Sequence, residues 1–267
     1  MLEQIIRVKQ QEVQELKNRL NVEDITPCRH PLDVEKAFRS GFNSMAVIAE
    51  VKKASPVKGI LANELDVLQL AKCYRENGAT AISYITDSQF FQGQQELLPQ
   101  VKEKSGLPVL RKDFIIDEIQ LYETVLLQAD IVLLIAAMHD YPRLLALSEK
   151  SRELGIEVLL EVHDREELQK AIDLPVKMLG VNNRNLKDFS VDIGRSLELA
   201  EQIPQSFIKV SESGIKTRED ILLLKEHGYN AVLVGEALVT APDPGEKLRE
   251  LIVEVTGDGS CVTSDLR

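Results

Sequence analysis

Cysteine is scarce in this 267-residue chain: Cys28, Cys73 and Cys261 are odd in number, far apart and in no paired spacing. That pattern argues against a disulfide framework and a zinc site, and favours a reducing compartment. The four histidines, His30, His139, His163 and His227, are scattered and form neither HxH nor HExxH, so no metal is expected. Positive charge is in the minority: the formal net charge of -11 speaks against a general binder of nucleic acid or acidic membranes. An anionic ligand would need a locally positive pocket. Long apolar runs are missing too, since the longest, Ile131 to Met138, falls far short of the roughly 20 residues that span a bilayer. The start, Met1-Leu2-Glu3-Gln4, lacks the basic cap and apolar stretch of a signal peptide. A cytoplasmic protein without a membrane partner is therefore expected.

What is present suits a folded globular protein, with 44% hydrophobic and 28% charged residues. Leu2, Ile5, Ile6, Val13, Leu16 and Leu20 recur at mostly helical spacing among Glu, Gln, Lys and Arg, which predicts an amphipathic helix over residues 2–20. A second short helix is expected around Pro31 to Arg39. From residue 45 the rhythm changes to short apolar, β-branched runs at 45–51, 80–85, 108–111, 130–135, 156–160, 177–181, 207–210 and 231–234. Helical stretches lie between them, usually closed by glycine, as at Gly78, Gly155 and Gly228. Continuous rather than alternating hydrophobicity marks parallel strands covered by helices on their outer faces. Eight strand–loop–helix units predict an α/β fold, a (β/α)8 TIM barrel at 45–254. An N-terminal helical extension at 1–44 would pack on it, and a disordered tail would fill 255–267. A doubly wound open sheet is the alternative, but no GxGxxG follows the first strand.

In such a barrel the active site forms at the carboxyl ends of the strands. There the sequence delivers Glu50 and Lys52, two apart and so on one side of the chain, with Lys53 turned to the other. Ser83 and Thr86 follow the second run, Lys112 and Phe114 the third, and Glu161 tips the fifth. The sixth ends in Asn182-Asn183-Arg184, the seventh in Ser211-Glu212-Ser213-Gly214 and the eighth in Val234-Gly235-Glu236-Ala237. Any one of these reads as a solvated loop charge, and His163, just past Glu161 and within reach of the mouth, reads more readily as an ordinary loop histidine. Together they place polar groups from nearly every strand at one mouth. The turns at Gly214 and at Gly235-Glu236 expose backbone N–H groups where this fold usually holds phosphate, so a phosphorylated small molecule is expected. With no metal cluster and no GxSxG nucleophile elbow, what remains is lysine and glutamate acid-base chemistry without a cofactor.

The segments VIAEVKKASPVKG, PVLRKDF, LLEVHD, GVNNRNL, SESGI and VLVGEAL occur in that order at the strand ends. Over roughly residues 2–253 the chain resembles the indole-3-glycerol phosphate synthases, ring-closing enzymes of tryptophan biosynthesis. The resemblance implies conversion of 1-(2-carboxyphenylamino)-1-deoxyribulose 5-phosphate to indole-3-glycerol phosphate with loss of carbon dioxide and water. It implies Lys112 as the general acid at the substrate ketone and Glu161 as the group serving dehydration and proton removal. Lys52 would grip the substrate carboxylate and serve as an acid in dehydration, with Glu50 orienting these amines. Asn182, Arg184, Glu212, Ser213, Ser83 and Leu233 would line the pocket, with Asn182 and Ser213 counted in the catalytic set. Phe91 and Phe114 would form the apolar wall for the anthranilate ring, and Ser55 would join Gly214, Gly235 and Glu236 at the phosphate. Lys52, Lys53, Arg111, Lys112 and Arg184 would make the opening positive. Val57 and Gln94 stand where the family usually carries serine, which bears on affinity. Association with other enzymes of the pathway is the expected protein partnership. Two alternatives stay open: a sugar-phosphate isomerase like phosphoribosylanthranilate isomerase, expected to use a Cys and Asp pair, and a catalytically silent barrel acting as an interaction partner.

Overall fold

The computed structural model describes residues 2–26, 34–39, 45–55, 59–61, 65–186 and 188–252. Eight parallel strands close on themselves: β1 (Ala46–Val51), β4 (Ala81–Ile85), β5 (Val109–Lys112), β6 (Ile131–Ile135), β7 (Glu157–Val162), β8 (Met178–Asn182), β9 (Ile208–Glu212) and β10 (Ala231–Val234). The residues β2 (Ala54–Ser55) and β3 (Gly59–Ile60) form a small antiparallel ribbon after β1. Closure comes from Ala46 pairing with Ala231 on one side of β1 and Ile48 with Ala81 on the other. Each expected strand run is present, with no end shifted by more than two residues. The largest extensions, two residues each, are in β7, where Glu161 and Val162 still pair with Gly180 and Val181, and in β9, where Ser211 and Glu212 pair with Val181 and Asn182.

Successive strand side chains point to opposite faces, and both faces here are dry. The inward set, including Ile48, Ala81, Leu110, Leu133, Leu159, Met178 and Val210, fills the barrel. The outward set, including Val47, Ile82, Val132, Leu160 and Val181, packs against the helices. This double burial is why the runs read as continuous hydrophobicity.

The helix α1 (Leu2–Arg19) buries Ile5, Val13 and Leu16 as its periodicity requires, and Val13 and Leu16 pack with Ile119 of α6 (Ile119–Leu126). Of the second expected helix, α2 spans Val34–Arg39, and Pro31 lies outside the described residues, as do Val57 and the tail from 255 to 267. Val34 and Phe38 of α2 join the inner cluster at Ala46, Ile131, Ile208 and Ala231, residues that start their strands. The helix therefore plugs the amino-terminal end of the barrel, opposite the mouth. We expect Phe38→Ala to lower unfolding free energy by about 3–5 kcal/mol in urea titration, the usual cost of emptying an aromatic core site. Because the cavity opens at the far end, kcat/KM should stay within about twofold of the parent value.

Candidate active site

A cavity of about 590 Å³ opens at the carboxyl ends of the strands, a size suited to a small-molecule ligand. Its floor is set by strand alternation. Leu110 and Lys112 point inward on β5, Leu159 and Glu161 on β7, Val210 and Glu212 on β9, and Ile48 and Glu50 on β1. In each strand the apolar residue fills the barrel and the charged one, two further on, tops it. The Lys112 ammonium donates to Glu161 Oε2 at 3.1 Å and to Glu212 Oε2 at 3.3 Å. Lys52, just beyond β1, pairs with Glu50 Oε1 at 2.6 Å.

Burial works against the charge of Lys112, but Glu161, Glu212 and Glu50 outweigh it and raise its pKa above the ordinary lysine range. The two carboxyls that share this ammonium diverge. Burial also opposes the charge of Glu161, yet Lys112 and His163 hold its pKa well below the usual carboxylate range. Glu212 is pushed up to about 7 by burial and by the negative charge of Glu161, which Lys112 offsets only in part. Its Oε1 has no hydrogen-bond partner among the described residues, which suits a carboxyl that is partly protonated at neutral pH. Two glycines make room for this crowding. A Cβ at Gly180 would overlap Glu212 Oε1, and one at Gly235 would overlap Glu50 Oε1. Both carboxylates lie against bare backbone.

The cavity is lined by Glu50, Lys52, Phe91, Lys112, Phe114, Glu161, Asn182, Arg184, Glu212, Ser213, Gly214, Leu233, Gly235 and Glu236, all named from the sequence. Phe91 and Phe114 stand as a tilted pair with ring centroids 6.2 Å apart. Arg184 is braced by its guanidinium donating to the Phe189 carbonyl at 3.2 Å and by its backbone N–H donating to Asn182 Oδ1 at 3.0 Å. The Ser55 side chain lies outside the described residues. Ser83 is not brought to the cavity: it is fully buried inside the barrel, one inward position below Ile85, the β4 residue that lines the wall. Arg111 does not contribute positive charge to the opening either. Lying between two inward residues it points outward, where it is 1% exposed and donates to Glu123 and Thr124 of α6 and the Gln120 carbonyl. Lys53 is likewise absent from the lining.

His163 lies in the loop after β7, as expected, but it is buried and paired rather than solvated. It is 8% exposed, with Nε2 3.2 Å from Glu161 Oε1 and Nδ1 3.1 Å from Glu167 Oε2. Glu167, in the first turn of α8 (Arg165–Ala171), also accepts the His163 backbone N–H at 2.7 Å. Burial disfavours the imidazolium, but the two glutamates more than compensate and raise its pKa to about 10. Asn183, named at the sixth strand end but given no role there, is another supporting residue. It donates to the Ser213 carbonyl and Ser211 Oγ at 3.0 Å each, fixing the tip of β9. Leu2 and Ile5 bring α1 itself into the cavity wall.

A family model described as indole-3-glycerol phosphate synthase matches residues 2–251. Similar proteins bearing that name include one from Legionella pneumophila (strain Paris), 46% identical over 79% of this chain and 82% of the relative. Those from Alkaliphilus metalliredigens and Caldanaerobacter subterraneus subsp. tengcongensis are 42% and 41% identical, covering 94% and 96% of this chain and 97% and 99% of theirs. Among solved structures, 3-hexulose-6-phosphate synthase from Salmonella typhimurium matches with a TM-score of 0.63 over 78% of this chain and 96% of its own. At 16% identity that likeness concerns the barrel alone. With a family match across nearly the whole chain and relatives above 40% identity, the chain belongs to the indole-3-glycerol phosphate synthase family, decarboxylating ring-closing lyases of tryptophan biosynthesis.

Proposed function

We propose that the cluster around Lys112 carries the family reaction, in which the aryl carbon bearing the carboxylate attacks the ketone of 1-(2-carboxyphenylamino)-1-deoxyribulose 5-phosphate. The supporting observation is the Lys112 ammonium at the cavity floor, shared by Glu161 and Glu212 at 3.1 and 3.3 Å. As the new carbon–carbon bond forms, Lys112 gives a proton to the ketone oxygen, which would otherwise become an alkoxide. The carboxylate, held by Lys52, leaves as carbon dioxide, and its bonding electrons restore the aromatic ring. Dehydration then needs an acid at the departing hydroxyl and a base for the adjacent C–H proton, supplied by Lys52 and Glu161. Glu161 returns its proton to Lys112, and Lys52 is recharged from solvent, so one proton is consumed per turnover. His163 keeps Glu161 ionised and aimed. Glu212 fixes Lys112, Glu50 orients Lys52, and Asn182 and Arg184 line the sugar path.

Phe91 and Phe114 form the apolar wall for the substrate ring. The phosphate sits against the backbone at Ser213-Gly214 and Gly235-Glu236. Ser213 and Gly214 both adopt positive φ, at 69° and 84°, which turns the chain sharply at this corner. The isomerase alternative is disfavoured, because Cys73 sits on α3 (Val67–Glu76) beside Asn77 and is not part of the cavity lining. The silent-barrel alternative is disfavoured by the intact acid-base cluster. We further propose a cytoplasmic enzyme with residues 1–44 as an extension on a barrel of 45–254, associating with other enzymes of the pathway.

Turnover is followed by the fluorescence of the indole product. Lys112→Ala is expected to lower kcat by at least about a hundredfold, the usual loss for a general acid, and near-normal turnover would refute the role. A second outcome concerns pH. The His163 pKa rises from 6.5 to about 10 on folding, so its stabilising charge is complete below pH 6.5 and is lost as pH climbs toward 10. In urea titrations the stability advantage of the parent over His163→Gln should therefore shrink across that window. A difference independent of pH would contradict an imidazolium at this position.

A further inference from the structure

Lys9, on α1, is 2% exposed and has no part in the chemistry proposed above. A buried ammonium is costly unless its charge is met by close partners. Here three carboxylates meet it: Asp113 Oδ1 at 2.8 Å, Glu12 Oε2 at 2.8 Å and Asp87 Oδ2 at 3.0 Å. Glu12 belongs to the same helix, one turn on. The other two belong to different loops of the barrel mouth, one after β4 and one after β5.

Those two aspartates are the roots of the aromatic wall. Asp87 Oδ1 accepts the backbone N–H groups of Phe90 at 2.7 Å and Phe91 at 3.1 Å, capping the short helix α4 (Ser88–Phe91). The Asp87 carbonyl accepts Gly93 N–H at 2.7 Å, closing the same loop. Asp113 Oδ1 accepts Phe114 N–H at 2.8 Å, and its Oδ2 takes the Thr86 hydroxyl at 2.5 Å. Each carboxylate thus uses one oxygen to set the backbone of an aromatic residue, and the Lys9 ammonium spans the pair. Arg111 still offsets Asp113 at 3.4 Å, but the compensation of Asp87 Oδ2 rests on Lys9.

We propose that Lys9 is a positioning residue for the substrate-ring site, an electrostatic post that holds the loops of Phe91 and Phe114 together from behind. Burial opposes the Lys9 charge, but Asp113 and Asp87 outweigh it, so it stays an ammonium at working pH. Without it, two buried carboxylates would face each other across the two loops, and like-charge repulsion would part the rings. The same helix face sends Leu2 and Ile5 into the cavity wall. In this way α1 belongs to the binding site. The inference rests on reading Phe91 and Phe114 as the wall for the substrate ring.

The test is steady-state kinetics on the full chain with 1-(2-carboxyphenylamino)-1-deoxyribulose 5-phosphate, well below each variant's unfolding midpoint. Lys9→Met should raise KM by about tenfold or more while kcat changes by less than about threefold, the signature of lost ground-state binding. Lys17→Met, which breaks the solvent-exposed pair with Asp117 on the same helix, should leave both constants unchanged. Adding Asp87→Asn to Lys9→Met removes the unmatched charge but not the missing bridge, so its KM should be about threefold above the parent's. That double variant carries the test if Lys9→Met alone does not fold by circular dichroism. A purely structural fastening role would lower the melting temperature without moving KM. A KM within about twofold of the parent value in either folded variant overturns the inference. Phe91→Ala separates the two readings. If it leaves KM unchanged, the wall reading falls and the inference with it; if it raises KM while Lys9→Met does not, the wall stands and the inference alone falls.

Discussion

One ammonium shared by buried carboxylates is the constraint on which the rest of this structure depends. Lys112 touches Glu161 and Glu212 and feels Glu50, and all four side chains top inward-facing strand positions. Gathering such charges away from water is unfavourable, and mutual attraction repays it only when geometry is tightly held. The barrel supplies that geometry. Parallel register fixes the tips of β1, β5, β7 and β9 relative to one another, and the bare backbone of Gly180 and Gly235 lets the carboxylates come close. A shift by one residue in any strand would send its charged residue into the layer between sheet and helices, as the outward course of Arg111 beside Lys112 shows.

The two ends of the barrel divide the labour. The amino-terminal end is closed by Val34 and Phe38, packed on apolar strand starts away from the charged cluster, so it can be optimised for packing. The carboxyl-terminal end carries the strained and charged positions that packing alone would not choose, including positive φ at Ser213 and the half-paired Glu212. 3-Hexulose-6-phosphate synthase from Salmonella typhimurium shares the barrel at 16% identity, which is what a division between scaffold and tips would allow.

Much of this was legible in the chain because two periodicities carry it. Runs buried on both faces announced each strand, and polar residues at their ends announced the mouth. What the pattern did not carry was depth and long-range pairing. Ser83 obeys the strand-end rule but stops one layer short of the cavity. Arg111 and Lys112 are neighbours of like charge, and only the phase of the alternation, read from Leu110, separates structural from cavity-facing. His163 is the loop residue the sequence suggests, but its burial between Glu161 and Glu167 was not legible, because Glu167 lies on the following helix. Lys9 was hidden for a stronger reason: its partners Asp87 and Asp113 are remote in sequence, and charge complementarity has no register to read. Family resemblance supplied the assignment of acid and base roles, which spacing alone left undivided.

The central claim is that Lys112 is the proton donor to the substrate ketone, with Lys52 reserved for the carboxylate. A crystal structure with a reduced substrate analogue, carrying a hydroxyl at the ketone carbon, tests this most directly. The account predicts the Lys112 ammonium within about 3 Å of that oxygen, still bonded to Glu161 or Glu212, with Lys52 on the analogue's carboxylate. Finding Lys52 at the oxygen, and Lys112 turned wholly toward its two glutamates, would contradict it.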